Sequence, residues 1–379
     1  MKELSVSLKE KLRRIDYIVF FSVFGMTSLS ILTLAGAANA SASGPRRVTI
    51  QFAASLVGLV MAYVISLFDY DELLNHFTIP LFAIGVGLMV LTVVFGVGPD
   101  ATSTNKCWLS IPGLPFDIQP AEFVKIVFIM TFAKHIDLVK KRINHPLVVL
   151  TLCIHGGLIT GLVLLTGDLG SALVFLAVMA IMLYTAGLSL WYFIAAIAIV
   201  IVLFPYLWPK LSEYQQQRIL VGFNPELDPE WYGYQPLKSR DAIAAGGFFG
   251  AGFSGGTYFK LVPEYKSDFL FAVFSEKFGF IGAFSYMALM GTLIFRLIWI
   301  ARHARKDCGA NICMGVAAVM LVQSLENIGM CLGMLPVIGI TLPFLSYGGS
   351  SMLASFIYIG VVQSIVTHNQ KYYFERETA

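Results

Sequence analysis

The sequence predicts an all-α polytopic membrane protein with ten transmembrane helices and a long loop between spans seven and eight. Two observations predict this class. Of the 379 residues, 57% are hydrophobic and only 13% are charged, whereas ordinary soluble domains carry about 25% charged residues. Ten segments also run almost without charge for about 17 to 25 residues, the length that a helix needs to cross about 30 Å of hydrocarbon. We expect spans at residues 15–36, 48–68, 78–96, 121–138, 147–165, 170–186, 190–208, 269–296, 312–335 and 350–367, all within a single membrane domain, 1–379.

Basic residues in the short connections predict the orientation, because Lys and Arg are retained on the cytoplasmic side. They cluster before span one, between spans four and five, and between spans eight and nine: Lys2, Lys9, Lys11, Arg13, Arg14, Lys140, Lys141, Arg142, Arg302, Arg305 and Lys306. With ten spans these clusters fall on one side. We therefore expect a multi-pass protein of the plasma (inner) membrane with both termini cytoplasmic and loop 209–268 extracytoplasmic.

Several other classes of function find no support in the residues. A net charge of +3 gives no reason to expect nucleic acid as a partner, and the five cysteines contain no CxxC pair that would indicate a zinc site or a disulfide framework. Gly250, Gly252 and Gly255 spell GxGxxG. That motif binds nucleotides only between a strand and a helix, so no nucleotide is expected here.

Polar residues collect in the predicted outer loops, 97–120, 209–268 and 336–350. Loops longer than about 12–15 residues are uncommon in compact domains unless they are functional. Within the sixty-residue loop, residues 239–249 fit a short amphipathic helix at the bilayer surface. The loop is therefore a candidate part of a functional site.

The entrance of span eight reads PEYKSDFLFAVFSEKFG and carries an unusual set of charges. Asp268 and Glu264 are four residues apart, and Lys266 lies between them. Glu276 is eight residues beyond Asp268, two turns deeper in the span. A carboxylate at that depth costs about 2.5 kcal/mol or more unless it faces protein or water, so Glu276 is expected to face a polar cavity.

Two other outer boundaries repeat this theme. Span four begins after Gln119, and Glu122 and Lys125 follow one turn apart on the same helix face. They indicate either an internal ion pair or a site at which Lys125 holds an anion. Asp168 lies between two glycines before span six and either caps that helix or belongs to a site. Together these groups predict a cavity that opens outward.

Six motifs occur in one order along nearly the whole chain: WL with QPAEFVK (108–125), GDLGSALV (167–174), QQQRI (215–219), YGYQ with AIAAGGFFGAG (232–252), PEYKSDFLFAVFSEKFGFIG (263–282) and NIGMCLGMLPVIGITLPFLSYGGSS (327–351). The set resembles the SEDS family of shape, elongation, division and sporulation proteins. NIGM and NPELDPEWYGYQ are more similar to the family's elongation branch, RodA, than to its division branch, FtsW. A division or sporulation paralogue is the alternative within the family.

The resemblance implies a membrane glycosyltransferase that polymerises lipid II into peptidoglycan strands during cell elongation, together with a class B penicillin-binding protein. It implies that Asp268 is the essential carboxylate of the long loop, and from the chemistry of the reaction we expect Asp268 to be the general base. We expect the substrate to be bound by Trp108, Gln119, Glu122, Lys125, Asp168, Arg218, Glu264, Lys266, Glu276 and Ser346. We further expect Lys125, Arg218 or a divalent cation, Mg²⁺ or Mn²⁺, to offset charge on the departing diphosphate, and Glu122 and Glu276 to orient Lys125 or help hold that cation.

Three positions depart from the family pattern. Cys107, preceded by Lys106, stands where the family usually has Arg before the tryptophan. Lys277 replaces a common second glutamate, and Thr166-Gly167 replaces Gln-Pro before Asp168. A different class of function, a lipid II flippase or transporter, is also compatible with ten spans that carry polar residues. Transport would favour charge near the bilayer midplane, whereas here charge gathers at the outer boundaries.

Overall fold

A computed structural model describes residues 15–98, 105–110, 117–210 and 213–368. The basic run before residue 15 and parts of the loop 97–120 lie outside the described residues. The described part forms twelve α-helices and no named β-strand, which confirms the predicted all-α class. They are α1 (Tyr17–Gly36), α2 (Gly44–Ser66), α3 (Tyr70–Phe95), α4 (Pro120–Val139), α5 (Pro146–Leu165), α6 (Leu169–Thr185), α7 (Leu190–Leu207), α8 (Glu213–Phe223), α9 (Tyr234–Gly246), α10 (Leu270–His303), α11 (Asp307–Cys331) and α12 (Gly349–His368).

Helices α1–α7 and α10–α12 coincide in order with the ten predicted spans. Among the described residues, seven helices are long and apolar enough to cross a membrane: α1, α2, α3, α5, α10, α11 and α12. Helices α6 and α7 are shorter apolar helices, and α4 carries Glu122, Lys125, Lys134 and Asp137. The chain is thus a multi-pass membrane protein.

Side chains and prolines at the helix starts explain where several spans begin. Asp16 caps α1 by accepting hydrogen bonds from the backbone N–H groups of Ile18 and Val19, and Asp69 caps α3 in the same way. Helices α2, α4 and α5 each have a proline in the first turn, where its missing N–H costs nothing. The two aspartate caps satisfy backbone N–H groups that have no partner within their own helix.

The core lies around α11 and α12, the helices with the largest buried share. Helix α12 packs on α2, while α11 packs on α10, α6 and α4. Helix α7 lies at the periphery and buries none of its described side chains. Its apolar surface is suited to contact with lipid.

Helix α10 contains a break that the hydropathy pattern does not predict. Gly279 has φ 66° and ψ −163°, which interrupts the helical hydrogen bonds. The glycine-rich segment 247–252 supplies other hydrogen bonds to the backbone on both sides of the break. The Ala251 and Gly252 N–H groups donate to the carbonyls of Glu276 and Lys277 at 2.8 and 3.0 Å. On the other side of the break, Phe280 and Ile281 donate to the carbonyls of residues 247 and 248 at 2.9 and 3.3 Å. The GxGxxG motif therefore has a structural role, since it completes a discontinuous helix.

We expect Gly250→Ala to destabilise the protein by about 1–3 kcal/mol. Gly250 has φ +85°, and a Cβ there would lie 2.1 Å from the Lys277 carbonyl oxygen. Gly291→Ala in α10 is the matched control, because a Cβ at Gly291 would have no neighbour within 4 Å. Thermal unfolding in detergent measures both variants. Equal melting temperatures would contradict the role of the glycine-rich segment at the break.

Candidate functional site

The candidate site lies at the end of the bundle where α7 ends and α10 begins, called here the loop end. The connection between these helices is ordered by α8, α9 and short turns. Helix α9 spans 234–246 rather than the expected 239–249. It packs against α10, with Ser239 and Ala242 fully buried, and so is part of the protein core at this end rather than a helix that only lies on the bilayer.

Asp268 lies in the turn directly before α10, whose N-cap is Phe269. The Asp268 main-chain carbonyl accepts a hydrogen bond from the Asn327 side-chain amide at 2.7 Å, and the same amide group donates to the Ile340 carbonyl at 2.6 Å. Asn327 is fully buried. It thus ties the turn of Asp268 to the loop between α11 and α12.

The electrostatic environment of Asp268 favours the protonated form of its carboxyl group. The side chain keeps a partly exposed surface, yet protein atoms surround the carboxyl closely. Burial, with the nearby carboxylates Glu264 and Asp168, raises its pKa to about 7, against the opposing effects of the Ser267 hydroxyl and Arg218. A carboxylate with this pKa can both hold and release a proton near neutral pH.

Asp168 joins two elements of the loop end. Its Oδ1 accepts a hydrogen bond from the Ser171 N–H at 2.8 Å, so the expected cap of α6 is confirmed. Its Oδ2 accepts one from Gln119 Nε2 at 2.7 Å, and both side chains are buried. Because Gln119 is the N-cap residue of α4, this contact fixes the start of α4 against the start of α6.

We expect Asp168→Ala to lower the free energy of unfolding by about 1 kcal/mol, the typical loss for an N-cap. Asp168→Asn is the control, since asparagine caps a helix about as well as aspartate. Denaturant unfolding in detergent compares the two. If alanine left the stability unchanged, the Asp168 contacts would be incidental.

Glu122 and Lys125 form the ion pair that their spacing predicts, with Lys125 Nζ 2.7 Å from Glu122 Oε1. Both side chains are buried. Glu326 of α11 interacts electrostatically with Lys125, and Tyr358 of α12 with Glu122. Glu326 Oε2 and the Tyr358 hydroxyl have no hydrogen-bond partner among the described residues. The pair is therefore the centre of a polar cluster inside the bundle, a setting that fits ordered water or a ligand group.

Three more of the expected site residues, Arg218, Trp108 and Lys266, each contact a different part of the protein. Arg218 donates a hydrogen bond to the Val337 carbonyl and acts on Asp268 from α8. Trp108 is held by a backbone bridge to Val97. Lys266 Nζ lies 5.2 Å from the centre of the Tyr265 ring. These three residues lie in or beside the loops of the loop end.

Ser346 and Glu276 both have hydrogen-bond partners within the protein. The Ser346 hydroxyl is buried and accepts a hydrogen bond from the Leu342 N–H at 2.8 Å within a turn. The Glu276 carboxylate was expected to face a polar cavity, but it accepts hydrogen bonds from the N–H groups of Thr257, Tyr258 and Phe259 at 2.7, 2.9 and 2.7 Å. Backbone donors compensate its burial, so this geometry supports neither an orienting contact with Lys125 nor a cation at Glu276.

Three residues at the site were not among the expected site residues. Asn327 was one, because a polar residue within a span gives no indication of its partners. Gly339 is another: it has φ +68°, and a Cβ there would lie 3.3 Å from Asp268 Oδ2. Cys107 lies close to both Asp168 and Asp268, and burial and the Asp168 charge raise its thiol pKa to about 12. The departure from Arg at this position was the available signal for Cys107.

The described residues contain no group of three or more His, Cys, Asp or Glu side chains placed to hold a metal ion. Mg²⁺ typically keeps several waters and binds one or two carboxylates together with substrate phosphates. At the loop end, Asp168 is a carboxylate of this kind.

Comparison with known proteins identifies the family. A family model described as cell cycle protein, FtsW/RodA/SpoVE, matches residues 12–371. The probable peptidoglycan glycosyltransferase FtsW of Trichlorobacter lovleyi is 33% identical over 94% of both chains. The peptidoglycan glycosyltransferase MrdB of Escherichia coli is 34% identical over 75% of this chain and 78% of its own. A chain of a solved peptidoglycan synthase complex that coordinates polymerization and crosslinking has a TM-score of 0.81 at 26% identity, covering 94% of this chain and 98% of its own. The chain therefore belongs to the SEDS family, the FtsW, RodA and SpoVE cell cycle proteins.

Proposed function

We propose that this protein is a peptidoglycan glycosyltransferase that polymerises lipid II, with Asp268 as the general base. The observation that carries the proposal is the position of Asp268, a partly exposed carboxyl at the loop-end entrance of α10 with a pKa raised to about 7. A lipid-linked sugar would meet this place while its lipid tail stayed in the bilayer. The names of the relatives, peptidoglycan glycosyltransferases, support the same activity.

The chemistry of lipid II requires one base and no acid partner. Its reactive sugar is carried on a diphosphate, which departs as a stable anion, so no carboxylic acid has to protonate the leaving oxygen as in glycoside hydrolysis. The attacking 4-hydroxyl must lose a proton, and Asp268 would accept it as the new glycosidic bond forms. A single in-line displacement would invert the anomeric centre from α to β.

The departing diphosphate needs positive charge nearby. Lys125, inside the bundle near the start of α4, and Arg218, at the loop end, are our candidates, and Lys125 would have to share its charge between Glu122 and the diphosphate. A divalent cation, Mg²⁺ or Mn²⁺, would neutralise the diphosphate when bound, with Asp168 as its carboxylate ligand. Gln119, held by Asp168, would then lie beside the same group.

We also propose an orientation of the chain in the membrane and a protein partner. The loop end would be extracytoplasmic and both termini cytoplasmic, as the basic clusters predict. A class B penicillin-binding protein would crosslink the strands that this chain makes. The resemblance to a chain of a peptidoglycan synthase complex supports such a partner.

We expect the polymerisation rate to fall as the pH drops below about 7. The pKa of Asp268 is raised to about 7, and only the ionised carboxylate can accept the proton. The rate should be full above this pH and fall about tenfold per pH unit well below it. Initial rates of glycan synthesis between pH 5 and 9 measure the profile. A rate that stayed constant down to pH 5 would contradict the assignment.

A polymerase and a flippase are separated by an assay in detergent, where the substrate has no sides to cross. The purified protein with its class B partner is mixed with lipid II, and the products are separated by size. If this chain is the polymerase, glycan strands should form even when the active site of the partner is blocked. If folded complex left lipid II unchanged, the flippase alternative would be favoured.

We further propose a role in elongation, which NIGM and NPELDPEWYGYQ favour. Relatives named FtsW and MrdB match at similar identity, so the motifs carry this choice. A fluorescent fusion in growing cells tests it. Elongation predicts signal along the side wall, whereas confinement to the septum would show a division role.

A further inference from the structure

Lys277 is buried beside the break in α10, with 1% of its surface exposed. Its Nζ donates hydrogen bonds to the carbonyls of Phe253 and Gly255, both at 3.0 Å, and lies 5.1 Å from the centre of the Phe259 ring. Gly36 of α1 makes room for it, since a Cβ there would lie 3.3 Å from Lys277 Cδ. The Lys277 ammonium group therefore contacts residues 253–259.

Glu276 holds the other end of the same segment. Its carboxylate accepts the N–H groups of residues 257–259, which begin the short 3-10 helix Tyr258–Leu261. Gly256 has φ +84°, and a Cβ there would lie 2.8 Å from Glu276 Oε1. Adjacent side chains of opposite charge therefore hold residues 253–259: Glu276 accepts hydrogen bonds from the N–H groups of residues 257–259, and Lys277 donates to the carbonyls of residues 253 and 255. We call Glu276 and Lys277 the clamp.

A continuous run of packed turns leads from the clamp to Asp268. Phe259 is buried, and its ring meets the Tyr265 ring edge-on, with ring centres 5.4 Å apart. Val262 donates to the Phe259 carbonyl at 3.1 Å. Phe269 donates to the Glu264 carbonyl at 3.2 Å, which closes the turn that contains Asp268. Movement of residues 253–259 would therefore be transmitted to the turn.

We propose that Lys277 and Glu276 are positioning residues for the reaction: by holding residues 253–259 they fix the turn 262–268 and set the surroundings of the Asp268 carboxyl. This inference rests on the proposed function. It gives a role to Lys277, which stands where the family commonly has glutamate. Neither side chain has to touch the substrate.

The expected signature of positioning is a change in the acidity of Asp268. The groups that face it are Glu264 in its own turn and, from other elements, Asp168, Arg218, Cys107 and Cys331. If the clamp is released, water gains access to the carboxyl, and its pKa falls toward that of an exposed aspartate. A loss of folded protein would instead scale the rate equally at every pH.

The test compares Lys277→Met and Glu276→Gln with wild type, each purified with its class B partner. Hydrogen exchange should become at least about tenfold faster at the N–H groups of residues 257–259, because those bonds are weakened. The polymerisation rate at pH 7 should fall about tenfold. The acid limb of the pH–rate profile should move lower by about one unit. Lys260→Met, a change at an exposed lysine directly after that segment, should change none of the three.

Two results of these measurements would contradict the positioning role of the clamp. Faster exchange with an unmoved acid limb would show that the clamp only stabilises the fold, and unchanged exchange would show that it does not hold the segment. Either result overturns the inference. Should Lys277→Met not fold, Glu276→Gln alone gives the same comparison, since it keeps the shape of the side chain. Failure of the proposed role of Asp268 would be seen in a different experiment, as normal polymerisation by an Asp268 variant.

Discussion

Asp268→Asn is expected to lower kcat for lipid II polymerisation by about 10²- to 10⁴-fold, the usual contribution of a general base. The amide has nearly the shape of the carboxyl but cannot accept the proton of the attacking hydroxyl. The contact of Asn327 with residue 268 involves the main chain, so the turn should be preserved. Substrate affinity should therefore change much less than kcat.

Single-turnover polymerisation at saturating lipid II measures this effect, with thermal unfolding and partner binding as checks on folding. Glu264→Gln is the matched control, because Glu264 is an exposed carboxylate in the same turn. Because Glu264 is an expected substrate-binding residue and not the base, its variant should keep most of kcat at saturating lipid II, and any loss should appear in KM. Since Glu264 raises the pKa of Asp268, the control should also move the acid limb to lower pH. A normal kcat in Asp268→Asn would remove Asp268 from the mechanism.

Lys125→Met is expected to destabilise the protein by about 3–5 kcal/mol, because it leaves the Glu122 carboxylate buried without its counter-ion. Glu122 is 5% exposed and Lys125 is 1% exposed, so water cannot replace the lost partner without rearrangement. The double variant Glu122→Gln, Lys125→Met removes both charges. Replacing a buried pair in this way is often close to neutral, and most of the stability should return.

The double variant also separates the structural role of Lys125 from its proposed role with the diphosphate. If Lys125 offsets charge on the leaving group, the double variant should fold normally and still polymerise about 10²-fold more slowly. Unfolding in detergent and initial rates of strand synthesis measure the two quantities. Full recovery of the rate along with stability would show that Lys125 is only half of an ion pair.

The helices could be predicted from the sequence because hydrocarbon demands long apolar segments, and the ten expected spans all have helices. Helix ends could be predicted less well. The ninth span was expected to begin at residue 312, whereas α11 begins at Asp307, because polar residues near the water boundary cost little and Asn311 is buried against protein. The break at Gly279 could not be predicted, since its lost hydrogen bonds are replaced by a segment nearly thirty residues earlier in the chain.

Local spacing predicted part of the candidate site. The ion pair between Glu122 and Lys125 and the cap by Asp168 both follow from positions within one helical turn. The contact of Gln119 with Asp168 and the tie from Asn327 to the turn of Asp268 join distant parts of the chain. The expectation for Glu276 used helix depth alone and could not include the backbone donors that a folded loop brings to it.

The most direct test of the central claim is strand formation from lipid II in detergent by wild-type protein and Asp268→Asn, each folded and bound to its partner. If Asp268 is the general base, the wild type forms long glycan strands and the variant almost none. Strands of equal length and yield from both proteins would contradict it, as would a folded wild-type complex that makes none.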